Sequence, residues 1–265
     1  MNSQRPPHDT RSPDYAVIIP AFNEEAYLPG TLSCLERAIA GNASYSAEVI
    51  VVDNNSTDRT ADVARSHHAR VVSEPINRIA RARNCGGRAA RADWLIFVDA
   101  DTLVSADLLG AALDQLSSGK VCGGGARVWS SDPVTRSACR AMRLWNRLAK
   151  RFRLAAGSFV FCTRGAWQET GGFDERVYAS EELYFSRALK RYAKRHGQEM
   201  VILPLAVDTS MRKLRWYTTG TILRMILGVL LCPFLLRSKR FCRFWYERPG
   251  ERSKGSAQPP PSSHR

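Results

Sequence analysis

Residues 94–102 read WLIFVDADT, a short run of large apolar side chains that ends in two aspartates separated by one alanine. A continuous apolar run of this length is typical of a strand that is buried on both faces of a sheet. Comparable runs lie upstream at 15–20 (YAVIIP), 47–52 (AEVIVV) and 70–73 (RVVS), and helical patterns separate them. Strands that alternate with helices predict βαβ units, and therefore an α/β fold with helices on both faces of the sheet.

The second half of the chain is less regular, but it also alternates apolar runs with helical patterns. Further strands are predicted over 121–128, 157–162 and 201–205. Both ends of the chain are polar and contain several prolines, which predicts a disordered lead-in over 1–14 and a disordered tail over 247–265. Helices are predicted over 23–40, 59–67, 78–91, 105–117, 134–153 and 180–196.

Composition limits the class of protein. The 265 residues are 44% hydrophobic and 24% charged, which suits one large globular domain, with or without an appendage. These values exclude a wholly disordered chain, a collagen-like fibre and a multi-span membrane protein. The seven cysteines show no paired CxxC spacing, so we expect free thiols in a reducing compartment. The first residues lack the apolar stretch of a signal peptide, which predicts that the protein begins in the cytosol.

The formal net charge is +14, because the chain has 39 Lys and Arg residues and only 25 Asp and Glu residues. The excess is concentrated in the stretches 78–91, 136–153 and 212–254. Strongly basic proteins bind nucleic acid, anionic lipid or phosphorylated substrates, and the net charge by itself leaves all three open.

Three acids follow predicted strands directly. Asp99 and Asp101 end the run at 94–102, and Asp53 follows the strand 47–52. In open α/β sheets, ligands bind beyond the carboxyl ends of the strands. Paired carboxylates there suit a hard divalent cation and the phosphate oxygens of a ligand, although two acids in a turn can also be simply solvated. Asp53 suits a nucleobase or a ribose hydroxyl, and equally well an Asx-turn.

Several motifs occur together in a fixed order, and through them the chain resembles family 2 glycosyltransferases over about residues 15–210. The resemblance implies a GT-A fold with a mixed central sheet. A Rossmann-like nucleotide-sugar half would occupy 15–102 and an acceptor-binding half 103–210. The motifs are VIIPAFNEE at 17–25, VIVVDNNSTDRT at 49–60, ARN at 82–84, WLIFVDADT at 94–102, GGFDE at 171–175 and SEELYFSRAL at 180–189.

The resemblance also implies roles for single residues. Asp101 matches the acid that holds a divalent cation, Mn²⁺ or Mg²⁺, and Asp99 matches the neighbouring acid nearer the ribose. Glu182 matches the presumed general base, and Glu181 is a second candidate for that role. The other matches are to residues around the nucleotide-sugar donor: Pro20, Ala21, Phe22, Glu24, Asp53 and Arg78.

The chain departs from the family pattern at three points. Glu182 stands where the family has Asp, and Tyr184 stands where it has a further acid. Many relatives have a downstream histidine as a metal ligand, but 201–215 contains none; Asp208 is the alternative, or else a solvated acid. An acidic first turn that stabilises a helix dipole would also explain the acids at 181–182. The Gln-x-x-Arg-Trp signature of processive synthases is missing, which favours transfer of a single sugar.

The basic stretch at 136–153 has helical periodicity. Its cations fall within an arc of about 100°, and Met142, Trp145, Leu148, Ala149 and Phe152 are predicted opposite them. A solvated face on a core-packed helix explains this pattern, and so does contact with an anionic membrane or a phosphorylated lipid acceptor.

A second apolar and basic segment is predicted to associate with a membrane over 211–246. Its part 216–236 is nominally long enough to span, but Arg224 near its middle and Pro233 disfavour a continuous transmembrane helix. An interfacial or re-entrant segment is therefore favoured over a span.

These observations predict a metal-dependent, inverting, single-addition glycosyltransferase, peripheral to the cytoplasmic face of the cell membrane. It would move a sugar from a nucleotide diphosphate sugar to a hydroxyl of a lipid-linked, glycan or small-molecule acceptor. The alternative is a noncatalytic nucleotide-sugar-binding or membrane scaffold protein with a degenerate site. No nucleic-acid partner is expected, because only the net charge suggests one and no reader motif is found. A nucleotidyltransferase is disfavoured because no Gly-rich phosphate loop follows the first strand.

Overall fold

The computed structural model describes residues 12–132, 135–212, 236–238 and 242. The chain divides into two compact units, Met1–Met211 and Arg212–Arg265. The predicted segment 211–246 lies almost wholly outside the described residues, as do the tail 247–265 and most of the lead-in 1–14. The proposed division of 15–210 into two halves stays a prediction.

The first unit is built on a mixed sheet of eight strands in the order β3-β2-β1-β4-β7-β6-β8-β5. Strands β3, β2, β1 and β4 run parallel to one another, β7 is antiparallel to both β4 and β6, and β8 is parallel to β6. The short β5 pairs antiparallel with β8 at the edge. The strands are β1 Tyr15–Ala21, β2 Ala47–Asp53, β3 Arg70–Ser73, β4 Trp94–Val98, β5 Thr102–Leu103, β6 Val121–Trp129, β7 Phe159–Thr163 and β8 Glu199–Thr209.

Helices cover both faces of this sheet, as predicted. Alternate residues of β1 point to opposite faces: Val17 and Ile19 pack in a core with α1 and α4, and Ala16 and Ile18 pack in a core with α3 and α7. The helices are α1 Leu28–Ala40, α2 Thr60–Ser66, α3 Ile79–Ala89, α4 Ala106–Ser117, α5 Arg136–Phe152, α6 Arg164–Thr170 and α7 Glu181–His196.

Helix α3 lies unusually close to the sheet because of Gly86. A Cβ atom on Gly86 would lie 2.3 Å from Cγ2 of Ile18 and 2.9 Å from Cγ2 of Val52, so only glycine fits. Three residues before Gly86 in the same helix, Arg83 reaches Asp99, which follows β4.

The structure corrects several predicted boundaries. The helix predicted over 23–40 begins only at Leu28, because Asn23 has φ 53° and the backbone N–H groups of 23–25 bond to the loop after β2. Strand β8 extends well beyond the predicted 201–205. Helix α6 and strand β5 had no predicted counterpart. The cysteines in the described part of the chain carry free thiols, as predicted.

Candidate active site

The candidate site lies where β1, β2 and β4 end. The register pairs Ala21 with Asp53 across β1 and β2, and Ile18 with Phe97 across β1 and β4. Asp99 follows the last residue of β4 directly, so Asp53 and Asp99 share the carboxyl edge of three parallel strands, where ligands of such sheets bind.

The loop after β1 is fastened to the loop after β2. The backbone N–H of Asn23 donates to Oγ of Ser56 (3.0 Å), and its Oδ1 accepts from the N–H of Thr57 (2.7 Å). The N–H of the buried Glu24 donates to Oγ1 of Thr60 (2.7 Å). The two loops therefore form one continuous surface at the end of the sheet.

The residues matched to the donor base occupy different settings on this surface. Pro20 and Ala21 lie buried within β1 rather than in a loop, whereas Phe22 is half-buried in the loop itself. Asp53 is half-buried, and its Oδ1 accepts from the backbone N–H of Ser56 (3.0 Å), three residues further along the chain. Its role towards a nucleobase or a ribose hydroxyl stays a prediction.

Asp99 and Asp101 lie on a tight turn between β4 and β5. The N–H of Thr102 donates to the carbonyl of Asp99 (3.2 Å), and the N–H of Ser210 donates to the carbonyl of Asp101 (3.2 Å). Both aspartates are half-buried. Asp208, the alternative metal ligand, accepts from the N–H of Ser131 at its Oδ1 (2.8 Å).

Arg83 connects this turn to the first turn of α7. Its side chain is 1% exposed, and Nη2 donates to Oδ1 of Asp99 (2.8 Å) and to the carbonyl of Gly157 (2.9 Å). Nη1 donates to Oε1 of Glu181. Burial lowers the pKa of Arg83, but Asp99 and Glu181 outweigh it and raise the pKa, so the guanidinium stays charged.

Glu181 and Glu182 begin α7 beside this guanidinium. Glu181 is 3% exposed and Glu182 is half-buried. Burial, reinforced by the neighbouring Glu181, raises the pKa of Glu182 to about 8. Burial also raises the pKa of Glu181, against the opposing effect of Arg83. Three carboxylates thus share one buried guanidinium, and a proton or a bound cation would balance the remaining negative charge.

Asn84, the next residue of α3, holds the segment 171–175. Its Nδ2 donates to the carbonyl of Phe173 (2.8 Å) and to Oε1 of Glu175 (2.9 Å), and its Oδ1 accepts from the N–H of Phe173 (2.9 Å). Consecutive residues of the ARN motif therefore fix two separate parts of the candidate site.

Arg83, Asn84 and Glu175 were not among the predicted site residues. The available signal was the position of ARN in the middle of a helix, since a buried arginine needs carboxylate partners. The acids at 99 and 181 were known candidates, but no local pattern connects them to residue 83.

Arg78 contacts the segment that precedes α7, and its predicted place near the donor stays a prediction. Its Nη1 donates to the carbonyl of Glu175 (2.9 Å), and its guanidinium lies 4.0 Å from the ring centroid of Tyr178, to whose hydroxyl Nη2 donates. The side chain thus fastens the start of α3 to the segment before α7.

The model of the glycosyl transferase family 2 matches residues 16–171 of the chain. The chain belongs to this family. The match includes the strand ends, both aspartates of the turn and the ARN motif, and it confirms the resemblance seen in the sequence.

Individual relatives of the family match parts of the chain. The validoxylamine A glucosyltransferase of Streptomyces hygroscopicus subsp. limoneus is 40% identical over 97 residues, which cover 34% of this chain and 21% of that protein. The chain spans less than half the length of the curated relatives that it matches.

Solved structures show the fold shared within the family. The mannosyltransferase PcManGT from Pyrobaculum calidifontis, in complex with GDP-Man and Mn²⁺, matches with a TM-score of 0.62 at 20% identity, over 91% of this chain and 66% of that chain. Glucosyl-3-phosphoglycerate synthase from Mycobacterium tuberculosis, in complex with Mn²⁺, UDP and glucosyl-3-phosphoglycerate, matches with 0.59 at 20% identity, over 83% and 79%. The predicted GT-A fold is confirmed.

The carboxylates of the turn suit a divalent cation, although the described residues include no group of three His, Cys, Asp or Glu side chains able to hold one alone. Asp99 and Asp101 are hard oxygen donors on a half-buried edge, and Mg²⁺ and Mn²⁺ commonly combine one or two carboxylates with water and phosphate oxygens. The donor set therefore fits a cation that arrives with a diphosphate.

No helix within the described ranges combines the length and the apolar character needed to cross a membrane.

Proposed function

We propose that this member of the family transfers a sugar from a nucleotide diphosphate sugar to an acceptor hydroxyl. The observation that carries the proposal is the Arg83 network. It holds Asp99 of the turn and Glu181 of α7 on one guanidinium, and so fixes a donor-side carboxylate next to the candidate base Glu182.

The donor would bind on the surface formed by the two fastened loops. Phe22 and Asp53 would contact the base and the ribose, and Asp99 and Asp101 would hold a divalent cation. When bound, that cation would supply positive charge to the diphosphate as it leaves. The complexes of PcManGT with GDP-Man and Mn²⁺, and of the synthase with UDP and Mn²⁺, support this part of the proposal by analogy.

Glu182 would act as general base. Its carboxylate would accept the proton of the acceptor hydroxyl as that oxygen attacks the anomeric carbon from the side opposite the diphosphate, which inverts the configuration. A pKa of about 8 lies close to neutral pH, so this carboxyl group can both release a proton and take one up there. Glu181 would stay paired with Arg83 and position the turn of α7.

The proposal extends to one sugar per acceptor and to reaction at the cytoplasmic face of the cell membrane. The first rests on the missing signature of processive synthases. The second rests on the distribution of cations and apolar side chains on α5. The acceptor class stays open among lipid-linked, glycan and small-molecule hydroxyls.

The test is release of nucleoside diphosphate from a panel of UDP- and GDP-sugars, with Mn²⁺, with Mg²⁺ or with a chelator, and with acceptors of all three classes. We expect activity with one donor and either cation, and loss of activity with the chelator. Asp101→Asn and Glu182→Gln should each lower kcat at least about a hundredfold.

Asp114→Asn and Glu36→Gln make matched controls, because both side chains are exposed on helices away from the site. They should retain full activity. Wild-type activity in both Asp101→Asn and Glu182→Gln would contradict the proposed roles. Donor binding without turnover with any acceptor would favour the noncatalytic alternative.

A further inference from the structure

Helix α5 rests on the sheet through a narrow face. Met142 and Ala149 are buried on that face. The amide of Asn146 bonds to the backbone of Val128 in both directions, accepting from its N–H (2.8 Å) and donating to its carbonyl (2.9 Å). The other described side chains of the helix are exposed to solvent, apart from half-buried ones that border this face.

The exposed part carries a row of large apolar side chains. Leu144, Leu148 and Phe152 are 55%, 41% and 53% exposed. Their spacing of four residues aligns them along one side of the helix. The sequence prediction placed Leu148 and Phe152 with Met142 and Ala149 opposite the cations, and the structure divides these apolar residues between a buried face and an exposed one.

A cationic row runs beside this apolar row. At about 100° per residue, the cations occupy an arc that adjoins the arc of the apolar row. The guanidinium of Arg151 lies 5.7 Å from the ring centroid of Phe152, where the two rows meet. The helix contains no acidic residue. The exposed cations of this row are Arg136, Arg140, Arg143, Arg147, Lys150 and Arg151.

We infer that α5 is the surface through which this chain docks on an anionic lipid bilayer. A helix with one apolar and one cationic face lies in the membrane interface: its apolar side chains enter the boundary between headgroups and acyl chains, and its cations contact anionic headgroups. The inference deepens the membrane-face part of the proposed function, but it does not depend on sugar transfer.

The two rows together favour lipid over other partners. A nucleic acid backbone would engage the cations and leave the apolar row in water, because phosphate contacts carry that kind of binding. A second copy of the chain would bring two such cationic rows together without any acid between them. Of these three partners, an anionic bilayer is the one that offers apolar and negatively charged surface side by side.

The docking helix is connected directly to the candidate site. Helix α5 ends at Phe152, and the next residue, Arg153, caps it with a left-handed backbone of φ 48°. The chain then leads to Gly157, whose carbonyl accepts from Arg83, and to Ser158, whose carbonyl accepts from the N–H of Asp99 (3.4 Å). A bilayer against α5 would therefore lie at one end of the segment that borders the candidate site.

The test measures sedimentation of the full chain with vesicles of phosphatidylcholine, with and without phosphatidylglycerol. Wild type should bind the anionic vesicles and not the zwitterionic ones. Arg140→Glu/Arg143→Glu/Arg147→Glu should lower the partition coefficient about a hundredfold or more. Leu144→Ser/Leu148→Ser/Phe152→Ser should lower it about tenfold or more, also at high salt.

The matched control is Arg37→Glu/Arg191→Glu/Lys194→Glu, which changes the net charge equally at exposed positions outside α5. It should bind anionic vesicles within about threefold of wild type. Circular dichroism and Tm verify folding of each variant, and the single change Leu148→Glu replaces the apolar triple variant if that one does not fold.

Three outcomes would overturn the inference: wild-type binding by both α5 variants, an equal loss in the control, or a dimer in solution that the apolar variant dissociates. Binding of nucleotide sugars, followed in parallel by thermal shift, keeps the two proposals distinguishable. If the wild-type protein binds no nucleotide sugar but the α5 variants still lose vesicle binding, the docking inference stands and the proposed function is rejected.

Discussion

Arg83 is a buried cation whose removal would leave two carboxylates facing each other. Its guanidinium contacts Asp99, Glu181 and the carbonyl of Gly157 from a position that is 1% exposed. Removing one partner of a buried ion pair lowers the free energy of unfolding by more than the intact pair contributes to it, because the remaining charges stay buried without compensation.

Arg83→Met should therefore lower the free energy of unfolding by about 3 kcal/mol or more. Arg83→Lys should recover only part of it, because an ammonium lacks the planar fork that reaches three acceptors. Urea denaturation measures both, with Arg88→Met as the control at a side chain that is 57% exposed. A loss of less than about 0.5 kcal/mol in Arg83→Met would contradict the buried network.

Glu182 should make stability depend on pH. Its pKa is about 8 in the folded protein, against an ordinary value of 4.5. The folded state therefore holds a proton that the unfolded state releases. The corresponding stability is fully present below about pH 4.5 and is lost as the pH rises through about 8.

Glu182→Gln is neutral at every pH and should not show this loss. Relative to this variant, the Tm of wild type should fall progressively from about pH 5 to about pH 9. Differential scanning calorimetry measures the difference in Tm between the two proteins. A constant difference in Tm between wild type and Glu182→Gln over this range would contradict the raised pKa of Glu182.

Among single residues, the sequence predicted the acidic side chains of the candidate site better than the side chains that position them. Asp99 and Glu181 were both candidates, and the structure brings them onto one guanidinium. Arg83 itself could not be assigned, since its partners are distant in sequence and the local pattern specifies only a helix. The donor-side role of Arg78 stays a prediction, as do the roles of the acids.

Among the elements, the segment 171–175 depends on the side chain of Asn84. Gly172 has φ 70°, and a Cβ atom there would lie 2.4 Å from Oδ1 of Asn84. A substitution at Gly172 would therefore both strain the backbone and displace the amide that holds Phe173.

Gly172→Ala should destabilise the protein more than Gly171→Ala. Gly171 has a similar φ of 78°, but a Cβ atom there would meet nothing within 4 Å, so the neighbouring variant reports backbone strain alone. We expect a difference of at least about 1 kcal/mol in the free energy of unfolding, and faster hydrogen exchange over 171–175. Equal losses in the two variants would exclude the clash with Asn84.

Element types were predictable wherever apolar periodicity was strong. Strands β3 and β4 have the predicted bounds, and the predicted helices differ from the observed ones by a few residues at most, except α1; α6 was not predicted. The start of α1 was wrong because hydrogen bonds to the loop after β2 replace the first helical turn, and these are tertiary contacts. Strand β5, of two residues, is too short to produce a pattern, and it exists because β8 pairs with it.

For the molecule as a whole, the described charges separate by location. Acids gather at the ends of the parallel strands, around the single guanidinium of Arg83, whereas the cations of α5 lie on an outer surface of the first unit. The net charge of +14 is therefore a poor guide to the candidate site. What the net charge says about function depends on whether the candidate site and the cations of α5 act independently.

The increase in stability on binding of a nucleotide sugar, compared between variants of the two regions, would show whether they act independently. A nucleotide diphosphate sugar with Mn²⁺, present at about a hundred times its Kd, should stabilise the protein by about 2.7 kcal/mol, or about 5–10 °C in Tm. Asp101→Asn should lose the Mn²⁺-dependent part of this shift, because it removes a proposed metal ligand. The triple variant Arg140→Glu/Arg143→Glu/Arg147→Glu should keep the whole shift, since its cations would contact lipid and not the donor. A shift that falls equally in both variants would mean that the α5 cations belong to the donor site after all, and that one basic surface serves both the diphosphate and the membrane.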